Sequence, residues 1–344
     1  MTNYTIIGID LAKTKFHFAA MNNEHKIVLK KAITRKDFFE QISTLFPKQQ
    51  TFAMEACGGC HHVAQKLREL GHNVILLKPK DVKPYAKSRQ KNDLNDAIAI
   101  CKASLDPEIM HVQPKTKKQQ EIAYLHKARQ NTIQQRIQRS NSIMTSLQEF
   151  GYITKCGKSR FASDCKDFVN DALENGFISI VIYNQMLIDC REISQLIARE
   201  KDIEQDIIAN NKSSNDAQLL VTIPGIGPIN ASILSNKSVE IYETARDFAS
   251  SLGLVPKQST TGGVIRLGSI TKQGDRYART MLIQGARSIV MRTSRSNVPN
   301  DKIYHFIQRL KESGKGFNVI CVAVANKLAR IAYACIKGGV EYNA

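Results

Sequence analysis

The sequence predicts an α/β domain followed by an all-α remainder, and three observations carry that expectation. Over residues 1–115, short apolar β-type runs alternate with helical stretches, and several of the runs end on a carboxylate. Over residues 116–212 the apolar positions change to a helical period sustained through two long stretches. From 213 to 344 the period stays helical but is broken by Gly- and Pro-containing turns. A chain of 344 residues exceeds one comfortable core, so more than one domain is expected.

The first run, at 4–13, carries Ile6, Ile7 and Ile9, which suit a strand buried in a sheet, and it closes on Asp10. An ionised Asp beside such residues needs a metal or a cationic partner. Residues 15–20 and 26–30 read as a second and third strand around the polar turn Asn22-Asn23-Glu24, which makes a β-meander. Thr34 can cap a helix running to Leu45, with Phe38, Phe39, Ile42 and Leu45 on one face. Residues 51–55 form a fourth strand that ends on a second carboxylate, Glu55. A helix at 62–70 stops at Gly71, and a fifth strand at 73–77 stops before Pro79. Lys91-Asn-Asp-Leu-Asn-Asp96 then leads into a helix at 97–105; Asp93 and Asp96 stand three apart, so both project from one face. Three strands, helix, strand, helix, strand, helix is the order of an RNase H-like domain, the layout of RuvC-type nucleases.

A long helix is expected at 119–150, with Ile122, Leu125, Ile133, Ile137, Met144 and Leu147 as its stripe and Arg129, Arg136 and Arg139 outside it. A basic connector at 155–166 leads to a second long helix at 178–209, whose stripe is Met186, Ile193, Leu196, Ile203 and Ile207. Such a pair suits an antiparallel hairpin, a coiled-coil arm between copies, or an ordinary helix pair within a domain. After a polar linker at 210–215, Ile223-Pro-Gly-Ile-Gly227 breaks one helix and starts another, in the manner of a helix-hairpin-helix. The backbone N–H groups around Gly225 and Gly227 can meet a DNA phosphate there, or the segment is only a tight turn. A helix at 245–252 precedes a loop at 253–263 rich in hydroxyls and glycine. Arg266, Lys272, Arg276, Arg279, Arg287, Arg292 and Arg295 follow with essentially one acid, Asp275, among them. A solvated face interleaves both signs; this stretch does not, and clustered guanidinium groups suit phosphodiester binding. Two helices around Gly314-Lys315-Gly316 complete the chain.

The 49 Lys and Arg against 31 Asp and Glu give a net charge of +18, which points first to nucleic acid and second to an anionic membrane surface. No apolar run is read as reaching the roughly 18 to 20 residues of a membrane span, and no signal segment opens the chain. A soluble, cytoplasmic protein is therefore expected. Of eight cysteines, only Cys57 and Cys60 have C-x-x-C spacing, beside His61 and His62, and no second ligand pair follows. Packed, reduced thiols are expected rather than zinc.

Asp10, Glu55, Asp93 and Asp96 are oxygen donors suited to hard divalent cations. Two such ions roughly 3.5 to 4 Å apart stabilise both the entering and leaving oxygens of a phosphoryl transfer. Gly8-Ile-Asp-Leu-Ala-Lys13, Met54-Glu-Ala56, Lys91-Asn-Asp-Leu-Asn-Asp-Ala97, Ile223-Pro-Gly-Ile-Gly227, Gly253-Leu-Val-Pro-Lys-Gln258 and Arg266-Leu-Gly-Ser-Ile-Thr-Lys-Gln-Gly-Asp275 occur in that order over nearly the whole chain. In this the sequence resembles the DEDD transposases of the IS110 type, with their IS1111 subgroup and the pilin-gene invertase Piv.

The resemblance implies a RuvC-like catalytic domain at 1–115, a coiled-coil arm at 116–212, and a C-terminal transposase domain at 213–344. It implies Mg²⁺ (or Mn²⁺) held by Asp10, Glu55, Asp93 and Asp96, a dimer or tetramer, donor and target DNA duplexes, and a bridge RNA that pairs with both. The family's nucleophilic serine, within Ser-Ser-Gly-Gly, aligns with Thr261 of Thr260-Thr-Gly-Gly263; Ser259 is the alternative hydroxyl. Threonine can attack a phosphate, although its β-methyl restricts χ1 and crowds the approach. The competing readings are a Piv-type DNA invertase, a RuvC-like junction nuclease using activated water, and a non-enzymatic nucleic-acid-binding protein with relic acids.

Overall fold

In the computed structural model, which describes residues 4–86, 92–154, 157–261, 263–293 and 301–343, the chain opens with an antiparallel meander. Its strands are β1 (Tyr4–Leu11), β2 (Lys15–Asn22) and β3 (Ile27–Thr34). Helix α1 (Phe38–Leu45) leads to β4 (Thr51–Glu55), and α2 (Cys60–Glu69) leads to β5 (Asn73–Leu77). Strands β4 and β5 add in parallel on the far side of β1, giving the order β3-β2-β1-β4-β5. After a short α3 (Pro79–Val82) comes α4 (Asp93–Ser104). This mixed sheet with its helices has the element order expected from the sequence and is consistent with an RNase H-like layout. Residues 1–120 form one compact unit and 121–344 a second.

The two faces of the sheet are chemically different, because successive strand residues point to opposite sides. Ile7, Ile9, Phe16, Phe18, Phe52 and Met54 fill one face against Phe38 and Ile42 of α1 and Val63 and Leu67 of α2. The other face packs on α4 through Ile6, Ala19, Met21 and Ala53, which meet Ala97, Ile100 and Cys101. Where the helix crosses, the sheet carries only small residues: Gly8 stands between Ala19 on β2 and Ala53 on β4. A Cβ on Gly8 would lie 2.3 Å from the Ala97 carbonyl oxygen and 2.7 Å from Cys101 Sγ. That absent methyl sets how closely α4 sits on the sheet. The Cys101 thiol donates to the Ala19 carbonyl at 3.2 Å, and burial pushes its pKa up to about 12, so it stays a thiol.

In the second unit, α5 (Lys117–Glu149) and α8 (Ile180–Asn211) are the long helices, with α6 (Lys158–Ser163) and α7 (Cys165–Glu174) between them. They run antiparallel within the chain. Arg129 pairs with Glu204 at 2.6 Å, Arg136 with Glu200 at 3.1 Å, and Arg139 with Glu192 at 2.5 Å, so numbers rise along one helix as they fall along the other. Of the three arrangements open to the sequence, the helices therefore pair with each other.

Helices α9 (Asn215–Val221), α10 (Pro228–Ser235) and α11 (Ala245–Ser251) follow. Residues 253–263 do not form the expected loop. They contribute strand β6 (Pro256–Thr261), which pairs with β7 (Val264–Ile270) in an antiparallel hairpin. Helices α12 (Arg276–Arg292), α13 (Lys302–Glu312) and α14 (Phe317–Gly338) end the fold. A second expectation also changes: α14 is long and apolar enough to cross a membrane, with a mean hydropathy of 1.7. Half of that window is buried, and Val324, Leu328 and Ala332 pack in the core of the helical unit, which accounts for its composition. The cysteines of the described residues are free, and all of them except Cys57 are buried.

Candidate active site

The small-residue lane under α4 also determines what stands one tier beyond it. Two positions past Gly8 on the same face is Asp10; two past Ala53 is Glu55; two before Ala19 is His17. Asp10 and His17 are directly opposite in the β1–β2 register. Because α4 is seated on Gly8, its first turn delivers Asp93 and Asp96 to the same place. Asn92 caps that helix, accepting from the Asn95 N–H at 2.8 Å.

One ligand atom each from Asp10, His17 and Asp93 lie within 4.8 Å of one another, the sole grouping of this kind among the described residues. His17 Nδ1 is 3.3 Å from Asp93 Oδ2. Glu55 and Asp96 belong to the same electrostatic neighbourhood. Burial raises the Asp10 pKa, and the charges of Asp93 and Asp96 raise it further; Glu55 is raised by burial and then by Asp10 and Asp96. Among the described residues, no Lys or Arg forms an ion pair with any of the four acids. Partly buried carboxylates that repel one another, with His17 as the one cationic side chain that offsets Asp10 and no Lys or Arg paired to them among the described residues, fit a divalent metal. The sequence reading picked out the four acids and missed His17. Its signal was the short turn at 12–14, which fixes the hairpin register and puts residue 17 across from residue 10. Lys91, part of the expected motif, lies outside the described residues.

The two candidate hydroxyls sit on the β6–β7 hairpin. Ser259 and Thr261 are two apart and share one face, with Arg266 across from Ser259 and Val264 across from Thr261. All four are exposed. Gly263, at φ +78°, lies in the turn, and Gly262 lies outside the described residues.

The expected phosphate contacts divide. Lys272, Arg276 and Arg287 are exposed, Arg287 lying over the Phe317 ring at 5.1 Å, and Arg295 lies outside the described residues. Arg279 differs from expectation. It is 7% exposed, and its Nη1 donates to the carbonyls of Leu252 (2.9 Å) and Gln273 (2.8 Å), so it ties the two ends of the hairpin together from inside the protein. Gly225, at φ +85°, is half-buried where the turn between α9 and α10 packs on α12. A Cβ on Gly225 would lie 3.1 Å from the Gly285 oxygen and 3.2 Å from Ile289 Cδ1, so the left-handed φ and close packing both favour glycine there. Gly227 is exposed and caps α10. Among the described residues the C-x-x-C segment joins no cluster of metal-ligand atoms; His61 Nδ1 accepts the Lys115 N–H at 3.2 Å and Cys60 is buried.

A carboxylate cluster built across strand ends and a helix start, with His17 beside it, is a group that could hold a divalent cation. Residues 7–151 match the transposase model DEDD_Tnp_IS110, and residues 217–300 match the model of the transposase IS116/IS110/IS902 family. A probable family 20 transposase of Pseudomonas aeruginosa is 36% identical over 341 residues, 97% of both chains. The transposase for insertion sequence element IS1111A of Coxiella burnetii is 30% identical over 98% of this chain and 90% of its own. The pilin gene-inverting protein of Moraxella bovis is 26% identical over 77% of this chain and 73% of its own. The chain belongs to the IS110 family of transposases, enzymes of DNA transposition related to the pilin-inverting proteins. Membership of a DEDD family implies a divalent metal.

Proposed function

We propose that this chain cuts and rejoins DNA with a metal centre held by Asp10, Glu55, Asp93 and Asp96 and a nucleophilic hydroxyl on the β6–β7 hairpin, Thr261 with Ser259 as the alternative. The observation that carries this reading is the convergence of mutually repelling acids at the α4 N-terminus. A divalent cation, Mg²⁺ or Mn²⁺, bound there supplies Lewis-acid stabilisation of phosphate charge. The acids orient and hold that cation; the exposed Arg266 meets the phosphate beside the hydroxyl. The hydroxyl oxygen bonds to phosphorus as a deoxyribose oxygen leaves with the proton. The ester bond is conserved, so reversal by a second strand rejoins the DNA. The N-terminal sheet is read as a RuvC-like catalytic domain (1–115), α5 and α8 as an arm (116–212), and 213–344 as the transposase domain. Exposed Lys272, Arg276 and Arg287 contact phosphates in a cytoplasmic, nucleoid-associated dimer or tetramer, guided by a bridge RNA that pairs with donor and target.

The test is to trap the covalent DNA–protein adduct and sequence the modified peptide. A modification within Ser259–Thr261 is expected; an adduct on another residue, or free ends alone as a junction nuclease would leave, overturns the nucleophile. The pilin-inverting relatives favour one second reading, inversion of a DNA segment in place of transposition. Inverted cassettes flanking the gene would select it, whereas element ends with a structured noncoding segment select RNA-guided transposition.

A further inference from the structure

We propose that His17 is a nitrogen ligand of the same metal centre, so that the site is mixed nitrogen and oxygen in character rather than all carboxylate. The inference rests on the carboxylate set being a metal site and adds to it a residue outside the Asp-Glu-Asp-Asp set.

Three observations converge on this residue. The imidazole is held by the sheet itself, since β2 pairs on both sides and His17 stands between Asp10 on β1 and Ala32 on β3. The face of the sheet on which it stands, the same as Asp10, is therefore fixed before any ion arrives. Its ligand atom lies within 4.8 Å of those of both Asp10 and Asp93, which are on different elements. Finally, His17 Nδ1 is shielded from solvent and has no hydrogen-bond partner. Buried polar atoms are almost always partnered, and an orphan asks for an absent ion or water. Asp93 Oδ2, at 3.3 Å, is near this nitrogen but is not aligned to bond it. A simple His–Asp ion pair is a weak alternative, because the Asp93 side chain is 57% exposed and such pairs contribute little.

The chemical consequence is a shift in metal preference. Carboxylates alone suit Mg²⁺, whereas an imidazole donor tilts the centre toward first-row transition ions, with Mn²⁺ the first and weakest-binding of that series. A ligand on β2 also gives the centre a donor on the far side of Asp10 from Glu55.

The experiment uses the full chain loaded with Mn²⁺ and reads nitrogen coupling to the bound ion by pulsed electron paramagnetic resonance. A histidine nitrogen coupling is expected, and it should change to the ¹⁵N pattern when the same unaltered chain is made with ¹⁵N-histidine. In His17→Gln the coupling should vanish, and Mn²⁺ affinity should fall by at least the roughly tenfold that loss of even an outer-shell partner costs, a larger factor than the fall in Mg²⁺ affinity. Bound Mn²⁺ without histidine coupling, or coupling that survives His17→Gln, overturns the inference while leaving the carboxylate centre standing. A chain that binds no Mn²⁺, or whose binding is indifferent to Asp10→Asn, overturns the centre and the inference together.

Discussion

Gly8 is the residue on which the acidic site depends most without contributing a functional group. A methyl at that position would meet the backbone of α4 rather than a flexible side-chain end. Gly8→Ala is therefore expected to cost at least about 1 to 3 kcal/mol as overpacking and to move Asp93 and Asp96 away from Asp10. Urea unfolding should report the first effect, and weakened Mn²⁺ binding the second. Arg279 makes a contrasting prediction within the basic stretch. Arg279→Ala strips a charged donor from the buried Leu252 carbonyl and the partly buried Gln273 carbonyl and should cost about 1.5 to 3 kcal/mol. Arg266→Ala should leave stability within about 0.5 kcal/mol but lower DNA affinity and reduce the salt slope by about one. If the two variants behaved alike in thermal melts, the division between inward and outward arginines would be wrong. His126 gives the pH dependence. It is buried, its Nε2 faces Ser232 Oγ at 3.0 Å, and burial followed by Arg129 pulls its pKa down to about 4. The unfolded chain then binds the extra proton, so stability is full above the ordinary histidine value of about 6.5 and falls as pH drops toward 4. The loss attributable to this residue is at most roughly 3 kcal/mol. His126→Gln should flatten denaturation curves over that window, and an unchanged slope would remove the assignment.

At the scale of elements, the β6–β7 hairpin is the least supported part of the fold. Its residues are exposed on both faces except at its end, including Val264, Ile265 and Leu267. Two strands alone are marginal in water. Amides of residues 256–261 and 264–270 should therefore exchange with deuterium far faster than those of β1 or α14, and bound DNA should slow them. Exchange as slow as in the core would show that the hairpin is anchored by something other than its ladder. This element was also the one the sequence hid best. The polar run Pro256-Lys-Gln-Ser-Thr-Thr has no buried alternation to betray a strand. Only Gly262-Gly263 ahead of Val264-Ile265 marks a hairpin. The N-terminal strands were legible for the opposite reason, since each buries large residues on at least one face and ends at a punctuating turn. His17 was invisible because its meaning lies in register rather than composition. Arg279 was invisible because charge predicts exposure, and only the packed fold shows two carbonyls waiting for it.

For the whole molecule, the sequence order of chemistry matches the division into two units. All four acids and His17 fall within 1–120, whereas both candidate hydroxyls and the exposed arginines fall within 121–344. The long helices α5 and α8 open the second unit, bound by arginines to the acids of the opposite helix; Arg129→Ala should loosen that pairing and is expected to lower the melting temperature more than Arg139→Ala. The reason is burial: Arg129 is 11% exposed and Arg139 44%. Equal melting shifts would show that burial does not rank the two ion pairs.

The seat of α4 on Gly8 completes the acid set within the first third of the chain, and that has a consequence in time. Domains emerge and fold from the N-terminus at roughly 5 to 20 residues per second during synthesis. The proposed metal centre can thus be assembled many seconds before the hydroxyl hairpin has been made. A nascent chain in that interval would be armed with its metal and still unable, on the reading proposed, to fasten itself to DNA.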